Sequence, residues 1–584
     1  MQHTIPKSSS EPKKLYFNLY WHMHQPDYRD VVHNEYVLPW TYLHAMKDYT
    51  DMAHHLEANP KAKVSFNFVP VLLDQLEDYA LQFKTKVIRD PLLAILTIEN
   101  LSDITPKQCK LIVDSCFKSH HEKMLSPFPY YQKLLRIFEA AEPIICGDEL
   151  YYLSAQYKAD LLVWYHLAWT GESVRRSYPL VKELMDKGTM FSFEDRKRLF
   201  DLIGELITNL IPRYKALQDS KQIEISTTPH YHPILPLLLD FKCTKDATPN
   251  APLPDNLSYP GGRVRAISHI KSAQHTHKQR FGVAPKGMWP AEGGVSNAAL
   301  SLLAQYGVTW AATGQGVLAN SLNKSGLPAQ DKHDYLYKPY KITDGHHDIL
   351  CFFRDDNLSD KIGFEYAKMH SADAVSDFVR TLEHIQQSNV SESHRVVSVI
   401  LDGENAWEYY PYNGYYFLSE LYAALANHPN IEMSTFSEIV ALTNSSNKKN
   451  NRIETPVLPQ VAAGSWVYGS FSTWIGSPDK NRGWDLLCEA KKAYDKVMLT
   501  GKLDEKQRGD CERQLSICEG SDWFWWFGDY NSSASVNSFD QLYRLNLMNL
   551  YALLKLAVPE ILHHSISAGG GNPDAGGTMR RGSE

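Results

Sequence analysis

Two carboxylates, Asp402 and Glu404, stand directly after an apolar run in the segment Val396-Val-Ser-Val-Ile-Leu-Asp-Gly-Glu-Asn-Ala-Trp407. Carboxylates at the end of a buried run are costly to desolvate unless they have work or partners there. Three other short extended runs end in groups of the same kind. Leu15–Trp21 leads into His22-Met-His24-Gln-Pro26, Gln222–Ser226 carries Glu224 and leads to His232, and Val283–Trp289 leads to Glu292. Paired carboxyls suit glycosidic-bond chemistry: one attacks the anomeric carbon while the other, its proton affinity raised by an apolar setting, protonates the leaving oxygen. Glu292 and Asp402 are the candidate pair. Trp289 and Trp407 follow or precede these acids closely enough to supply apolar walls, and His24 and His232 could donate to sugar hydroxyls.

These groups are far apart in the chain, so only a closed or wound sheet can gather them. The run 396–401 reads as a strand buried on both faces, the habit of parallel sheets. Further strand patterns fall at 63–69, 222–228, 283–289, 308–313, 348–353 and 430–434. Helical periodicity lies between them at 268–280, 296–306 and 372–388, and a long helical insertion spans about 91–220, with clear examples at 158–168 and 196–217. Alternating strand and helix predicts an α/β fold, and α/β barrels carry their sites at the C-terminal ends of the strands. Residues 1–14 are expected to be a flexible N-terminus, 15–443 the catalytic unit and 444–458 a polar linker. An aromatic-rich helical domain is expected over 459–565, with helices near 486–499, 503–515 and 538–563, and a disordered glycine-rich tail over 566–584.

The 584 residues are 43% hydrophobic, 22% charged and carry a net charge of −7, with no basic stripe, so no nucleic-acid partner is expected. The 12% aromatic content, with 13 Trp and 33 Tyr, suits either a large core or sugar stacking. Eight cysteines form no Cys-x-x-Cys pair and read as reduced thiols of a cytoplasmic protein. No apolar run is long enough to span a membrane, and Met1–Lys14 has no secretory apolar region. Oligomeric state leaves no mark in the sequence.

His24-Gln25-Pro26, the Glu224 segment, Trp289-Pro-Ala-Glu292, the Asp402 segment and the later Trp-rich block resemble, in order, the five motifs of glycoside hydrolase family 57. The resemblance covers about 15–560 and is nearest the amylopullulanase-like and α-amylase-like group. Thr227–Leu237, Phe353–Asp360, Leu401–Tyr410 and Asp522–Trp526 point there. It implies an incomplete (β/α)7 barrel followed by a C-terminal helical domain, acting on an α-glucan or maltooligosaccharide with retention and without a cofactor. It makes Glu292 the nucleophile and Asp402 the general acid/base, with His24, Glu224 and Glu404 beside the substrate. Retention implies carboxyls about 5–5.5 Å apart. Arg354 and Asp360 are expected to line the cleft, and Trp407, Trp466 and Trp474 are candidate stacking platforms.

Tyr530 and Asn531 stand where the resemblance leads one to expect an acid and a His; they alter specificity if they touch substrate and little if they cap a helix. The activity expected is cleavage of α-1,4 linkages, with α-1,6 cleavage as an additional activity. The alternatives are 4-α-glucanotransferase or branching activity on the same scaffold, a metal-dependent polysaccharide deacetylase or α-mannosidase using His22-x-His24 and His230-x-His232, and a non-catalytic glycan-binding protein. No metal ligands are assigned.

Overall fold

The computed structural model describes residues 14–141, 150, 153–327, 330–388, 393–444, 453–571 and 579. One sheet organises the molecule. Its strands are β1 (Leu15–Met23), β2 (Val64–Phe68), β3 (Ile223–Thr227), β4 (Gly287–Met288), β5 (Trp310–Thr313), β6 (Tyr340–Thr343), β7 (Asp348–Phe353), β8 (Arg395–Asp402) and β9 (Ile431–Met433). Their order is β8-β1-β2-β3-β4-β5-β7-β6, with β9 paired to the start of β1. All pairs are parallel except β6 with β7. Between β7 and β8, the two ends of this parallel run, the ladder reduces to a single bridge, Arg354 to Ser398, with the Asp355 amide donating to the Ser398 carbonyl at 2.8 Å. This is the incomplete (β/α)7 barrel, and helices cover its outer face.

The pleat decides what points inward. On β1, Leu15, Phe17, Leu19, Trp21 and Met23 pack outward among the helices, while Tyr16 and Tyr20 join an inner cluster with Trp289, Trp310, Phe352, Val396, Ile400 and Phe436. On β8, Val397, Val399 and Leu401 go outward, so Asp402 shares the inward parity of Val396 and Ile400. The barrel is thus plugged below largely by aromatic rings, and the inward parity leaves His22, His24 and Asp402 at its top. β4 is short: Pro285 lacks an amide donor, and at Gly287 any Cβ would lie 1.8 Å from the Trp310 ring.

The insertion is helical as expected, with helices at Pro91–Leu96, Pro106–Ser115, Pro129–Ala141, Ala155–Ala168, Glu172–Ser177, Pro179–Lys187 and Phe193–Asp219. Two expectations, a helix bound and the start of the tail, need correction. The helix read at 538–563 runs instead over Ser533–Leu553, ending before Lys555, which has φ 59°. In the segment expected to be a linker, 444–458, Ile453 bridges to His394 and Val457 to Lys341; residues 445–452 lie outside the described residues. The tail is also held at its start, where Ile566 and Ser567 are buried and their amides donate to Asp540. Residues 572–578 and 580–584 lie outside the described residues, as do 1–13. Among the described residues no helix is long and apolar enough to cross a membrane.

Candidate active site

Loops at the C-terminal ends of the strands, the insertion and the C-terminal domain enclose a cavity of about 970 Å³. Glu292, Asp402, Glu404, His22, His24, His232, Arg354 and Trp466 all line it. The inward parity of β1 continues upward through His22 to His24, and His22 sits in register beside Asp402 of β8. Asn67 of β2 fixes His22 by accepting from its Nδ1 at 2.7 Å, and Thr228 donates to the same oxygen at 2.9 Å. Burial lowers the His22 pKa to about 3, so the ring is neutral.

Glu292 follows β4 in a tight turn with φ 59°, the left-handed region that is strained for a residue with a Cβ. The turn is held by Gly293 N–H donating to the Pro290 carbonyl at 2.8 Å. Ser521 Oγ donates to one Glu292 oxygen at 3.0 Å and Trp466 Nε1 to the other at 3.3 Å. Burial first, then the nearby charges of Asp522 and Asp402, raise the Glu292 pKa to about 8. Burial raises Asp402 to about 6, opposed by a 2.9 Å hydrogen bond from Asn405 and by His24 and Arg354. Glu404 is raised well above the usual carboxylate range, by burial and then by Asp402. It accepts from the His24 amide at 3.2 Å and from Gln25 Nε2 at 3.4 Å, while its second oxygen has no protein partner.

The C-terminal domain completes the wall. His24 Nε2 donates to Asp522 at 2.7 Å, and His232 Nδ1 donates to Ser521 Oγ at 2.8 Å. The His24 and His232 rings stack with centroids 3.9 Å apart. Burial holds the His232 pKa well below its ordinary value, so its unpartnered Nε2 is an acceptor. His24, His232 and Asp522 present one ligand atom each within 4.8 Å of one another and form the group among the described residues with the chemistry to hold a cation. Within this group His24 and Asp522 already bond each other.

Behind this wall, Glu519 accepts from Arg265 Nε at 2.8 Å, His269 Nε2 at 2.7 Å and Tyr259 OH at 2.6 Å. These bonds fix the end of the Glu505–Cys518 helix, and with it Ser521 and Asp522.

Five predicted site residues do not line the cavity. Glu224 is low on β3 and faces the barrel interior, accepting from Trp310 Nε1 and the Ser437 amide, each at 2.9 Å, and from the Ser437 hydroxyl; it serves the start of the Phe436–Asn444 helix. Trp289 is buried beneath Glu292, against Tyr20, His22 and Trp466. Trp407 is buried against Trp21 and Tyr410, its Nε1 donating to the Gly403 carbonyl at 2.8 Å. Trp474 is buried beside Trp525. Asp360 does not line the cavity itself but binds Arg354, which does: Arg354 donates to Asp360 at 2.7 Å and to Asp356 at 2.6 Å and lies over the Trp466 ring.

Sequence reading missed Ser521, Asp522, Trp525 and Trp526, and, on the far wall, Trp40, His44, Trp169, His120 and Tyr409. Tyr530 and Asn531 do not line the cavity. Asn531 Nδ2 donates to the carbonyls of Trp525 and Trp526 at 3.0 and 2.9 Å, closing the end of the Asp522–Trp526 helix.

The sequence profile of glycosyl hydrolase family 57 matches residues 18–456. Among curated proteins no sequence matches the chain. Similar solved structures include a GH57-type branching enzyme from Pyrococcus horikoshii (14% identity, TM-score 0.56, covering 94% of this chain and 96% of that one). A GH57 branching enzyme from Thermococcus kodakaraensis is also similar (14%, 0.55, 92% and 90%), as is an α-amylase from Thermotoga maritima (14%, 0.53, 94% and 96%). At these identities the likeness is one of fold.

Proposed function

Since the chain belongs to glycosyl hydrolase family 57, we propose that this glycoside hydrolase acts on α-glucans by retaining double displacement, with Glu292 as nucleophile and Asp402 as general acid/base. The observation that carries the reading is a pair of carboxyls, buried Glu292 in the turn after β4 and half-buried Asp402 at the end of β8, opening onto one cavity and each raised in proton affinity by desolvation. Asp402 protonates the glycosidic oxygen as a Glu292 carboxylate oxygen attacks the anomeric carbon, breaking the C–O bond and forming a β-glycosyl ester. Asp402 then takes a proton from water or from a sugar hydroxyl as that oxygen displaces Glu292.

With protein groups alone around them, the proton is held more firmly by Glu292, at about 8, than by Asp402, at about 6, the reverse of what turnover needs. Substrate supplies the correction in two ways. A sugar seated over Asp402 displaces water and raises its proton affinity, while cationic charge developing at the anomeric carbon favours anionic Glu292. Ser521 and Trp466 are already aimed at the two oxygens of that anion.

Hydrolysis of α-1,4 linkages, with α-1,6 cleavage beside it, is the main reading. Transfer as a 4-α-glucanotransferase or branching enzyme is the runner-up, because Trp40, Trp169, Trp525 and Trp526 give an acceptor sugar rings to stack on. Products from amylose, pullulan and maltoheptaose separate the two: chains longer than the input mean transfer. Roles are tested by azide rescue with an activated α-maltosyl substrate. Glu292→Gly should yield the β-glycosyl azide and Asp402→Gly the α-azide; exchanged anomers would overturn the assignment. The cluster of His24, His232 and Asp522 favours one second reading, metal-dependent carbohydrate chemistry. Loss of activity in EDTA with recovery in zinc would establish that reading in place of the first.

A further inference from the structure

Of the six exposed aromatic residues among those described, three, Tyr409, Tyr412 and Tyr416, fall in one short segment that starts at the cleft. Tyr409 lines the cavity and meets His120 of the insertion edge-on at 4.9 Å. Three residues further along, the chain makes a short left-handed turn: Tyr412, Asn413 and Gly414 have φ values of 52°, 53° and 71°. Such a conformation costs about 1–2 kcal/mol for each residue with a Cβ. It is held by Asn413, which accepts from Lys47 Nζ at 3.0 Å and donates to Asp51 at 2.9 Å, and by Trp407, whose ring lies 2.7 Å from where a Cβ on Gly414 would sit. The turn turns Tyr412 out to 59% exposure and starts the Tyr415–Ala426 helix with Tyr416 beside it, 43% exposed. The Tyr412 and Tyr416 rings meet edge-on at 5.5 Å.

Tyr416 does not swing freely. Arg176 donates to its hydroxyl at 3.0 Å, lies 4.4 Å from the Tyr415 ring centre and 5.1 Å from that of Tyr416, and is itself held by Glu172 at 3.0 Å. Burying these rings would remove exposed apolar surface, yet a strained, doubly anchored turn and a clamped arginine keep them presented to solvent. Strain that persists against its cost gathers at functional segments. Rings fixed before binding lose little entropy when a ligand stacks on them. The C–H faces of pyranose rings stack on tyrosine, and a guanidinium offers donors to sugar hydroxyls.

We propose that Tyr412, Tyr415, Tyr416 and Arg176 form a second carbohydrate-binding platform, continuous through Tyr409 with the cleft, that holds an outer segment of a long α-glucan. The inference rests on the α-glucan reading of the cleft. The platform acts as a separate hold on polymeric substrate, out of reach of a short oligosaccharide seated at Glu292. Two linked sites raise apparent affinity for a ligand long enough to span both.

The test compares the wild-type enzyme, Tyr412→Ala/Tyr416→Ala and Tyr412→Phe/Tyr416→Phe by affinity electrophoresis in native gels containing amylopectin. Turnover of amylopectin and of maltoheptaose is measured in parallel. The Ala pair should weaken amylopectin retardation roughly tenfold and raise KM for amylopectin, leaving kcat/KM on maltoheptaose within about twofold. The Phe pair, which keeps the stacking faces, should behave as wild type. Unchanged retardation in the Ala pair overturns the platform. So does an equal loss on maltoheptaose, or a Phe pair as weak as the Ala pair. Wild-type enzyme that turns over maltoheptaose but is not retarded refutes the platform and spares the cleft. Wild-type enzyme that is retarded through these tyrosines without turning over any glucan supports the platform and refutes the proposed function.

Discussion

Replacing Glu519 by Gln should loosen the joint between barrel and C-terminal domain and disturb the cleft with it. Glu519 is fully buried and accepts from Arg265, His269 and Tyr259. Burial alone would raise its pKa, but Arg265 above all, with His269, holds it at about 2, against 4.5 for an unperturbed glutamate. At about 1.4 kcal/mol per pH unit, that depression is worth about 3 kcal/mol of folding free energy. Because the folded pKa is the lower one, the contribution is complete above pH 4.5 and is lost as pH falls through about 2. The Gln variant forfeits it and strands a buried guanidinium, a loss of about 3–5 kcal/mol. For 584 residues unfolding as one unit, an entropy of about 2.1 cal/mol/K per residue turns 3 kcal/mol into a fall of about 2–3 °C in Tm. Thermal unfolding followed by fluorescence should show that fall at pH 7 and a smaller difference from wild type toward pH 2. Activity should fall as well, because Ser521 and Asp522 leave the same helix end. A double variant, Arg265→Met/Glu519→Leu, strands no charge between the two and should lose less than Glu519→Gln. A Glu519→Gln enzyme within 0.5 °C of wild type at pH 7, with the double variant no better, would refute the reasoning.

Other outcomes follow from the cleft. The kcat/KM profile should be bell-shaped, with limbs belonging to the Glu292–Asp402 pair and lying toward pH 6 and pH 8. Asp522→Asn removes a negative neighbour of Glu292, so that carboxyl releases its proton more readily and the alkaline limb should move to lower pH; an unmoved limb would count against the coupling. Trp466→Phe deletes the Nε1 donor to Glu292 and should lower kcat roughly ten- to hundredfold, as expected for a hydrogen bond to a charged group. Trp407→Ala should destabilise by about 3–5 kcal/mol in thermal unfolding; a raised KM at unchanged Tm would instead restore its role as a sugar platform. Tyr530→Asp/Asn531→His should leave the product pattern on maltoheptaose unchanged while lowering Tm, because Asn531 closes a helix end and does not line the cavity.

The barrel was legible wherever local pattern and tertiary demand agreed. The apolar run of β8 and the alternation of β1 predicted strands, and the inward parity of Asp402 follows from counting along β8. Where the reading failed, a non-local fact decided. Glu224 lies on an inward face but three residues below Thr227, at the wrong end of β3. Trp289, Trp407 and Trp474 are near acids or aromatics in sequence, yet their backbones turn them into the core. β6 was missed although Asp344-Gly345 between Tyr340–Thr343 and Asp348–Phe353 is a hairpin signal. Ser521 and Asp522 stood in a run noticed for its aromatics. What no local pattern could show is that Glu519, beside them, finds Arg265 across 254 residues and so brings that run to the cleft.

The bond from His24 to Asp522 joins residues 498 apart, and Ser521 reaches Glu292 across 229. Domains fold from the N-terminus as they leave the ribosome. A nascent chain can therefore complete its barrel and still have Glu292, His24 and His232 without their late-arriving partners. The cleft is walled on that side only when the final helices dock, so an interrupted translation product would be a folded barrel with its Glu292 and His24 still unpartnered.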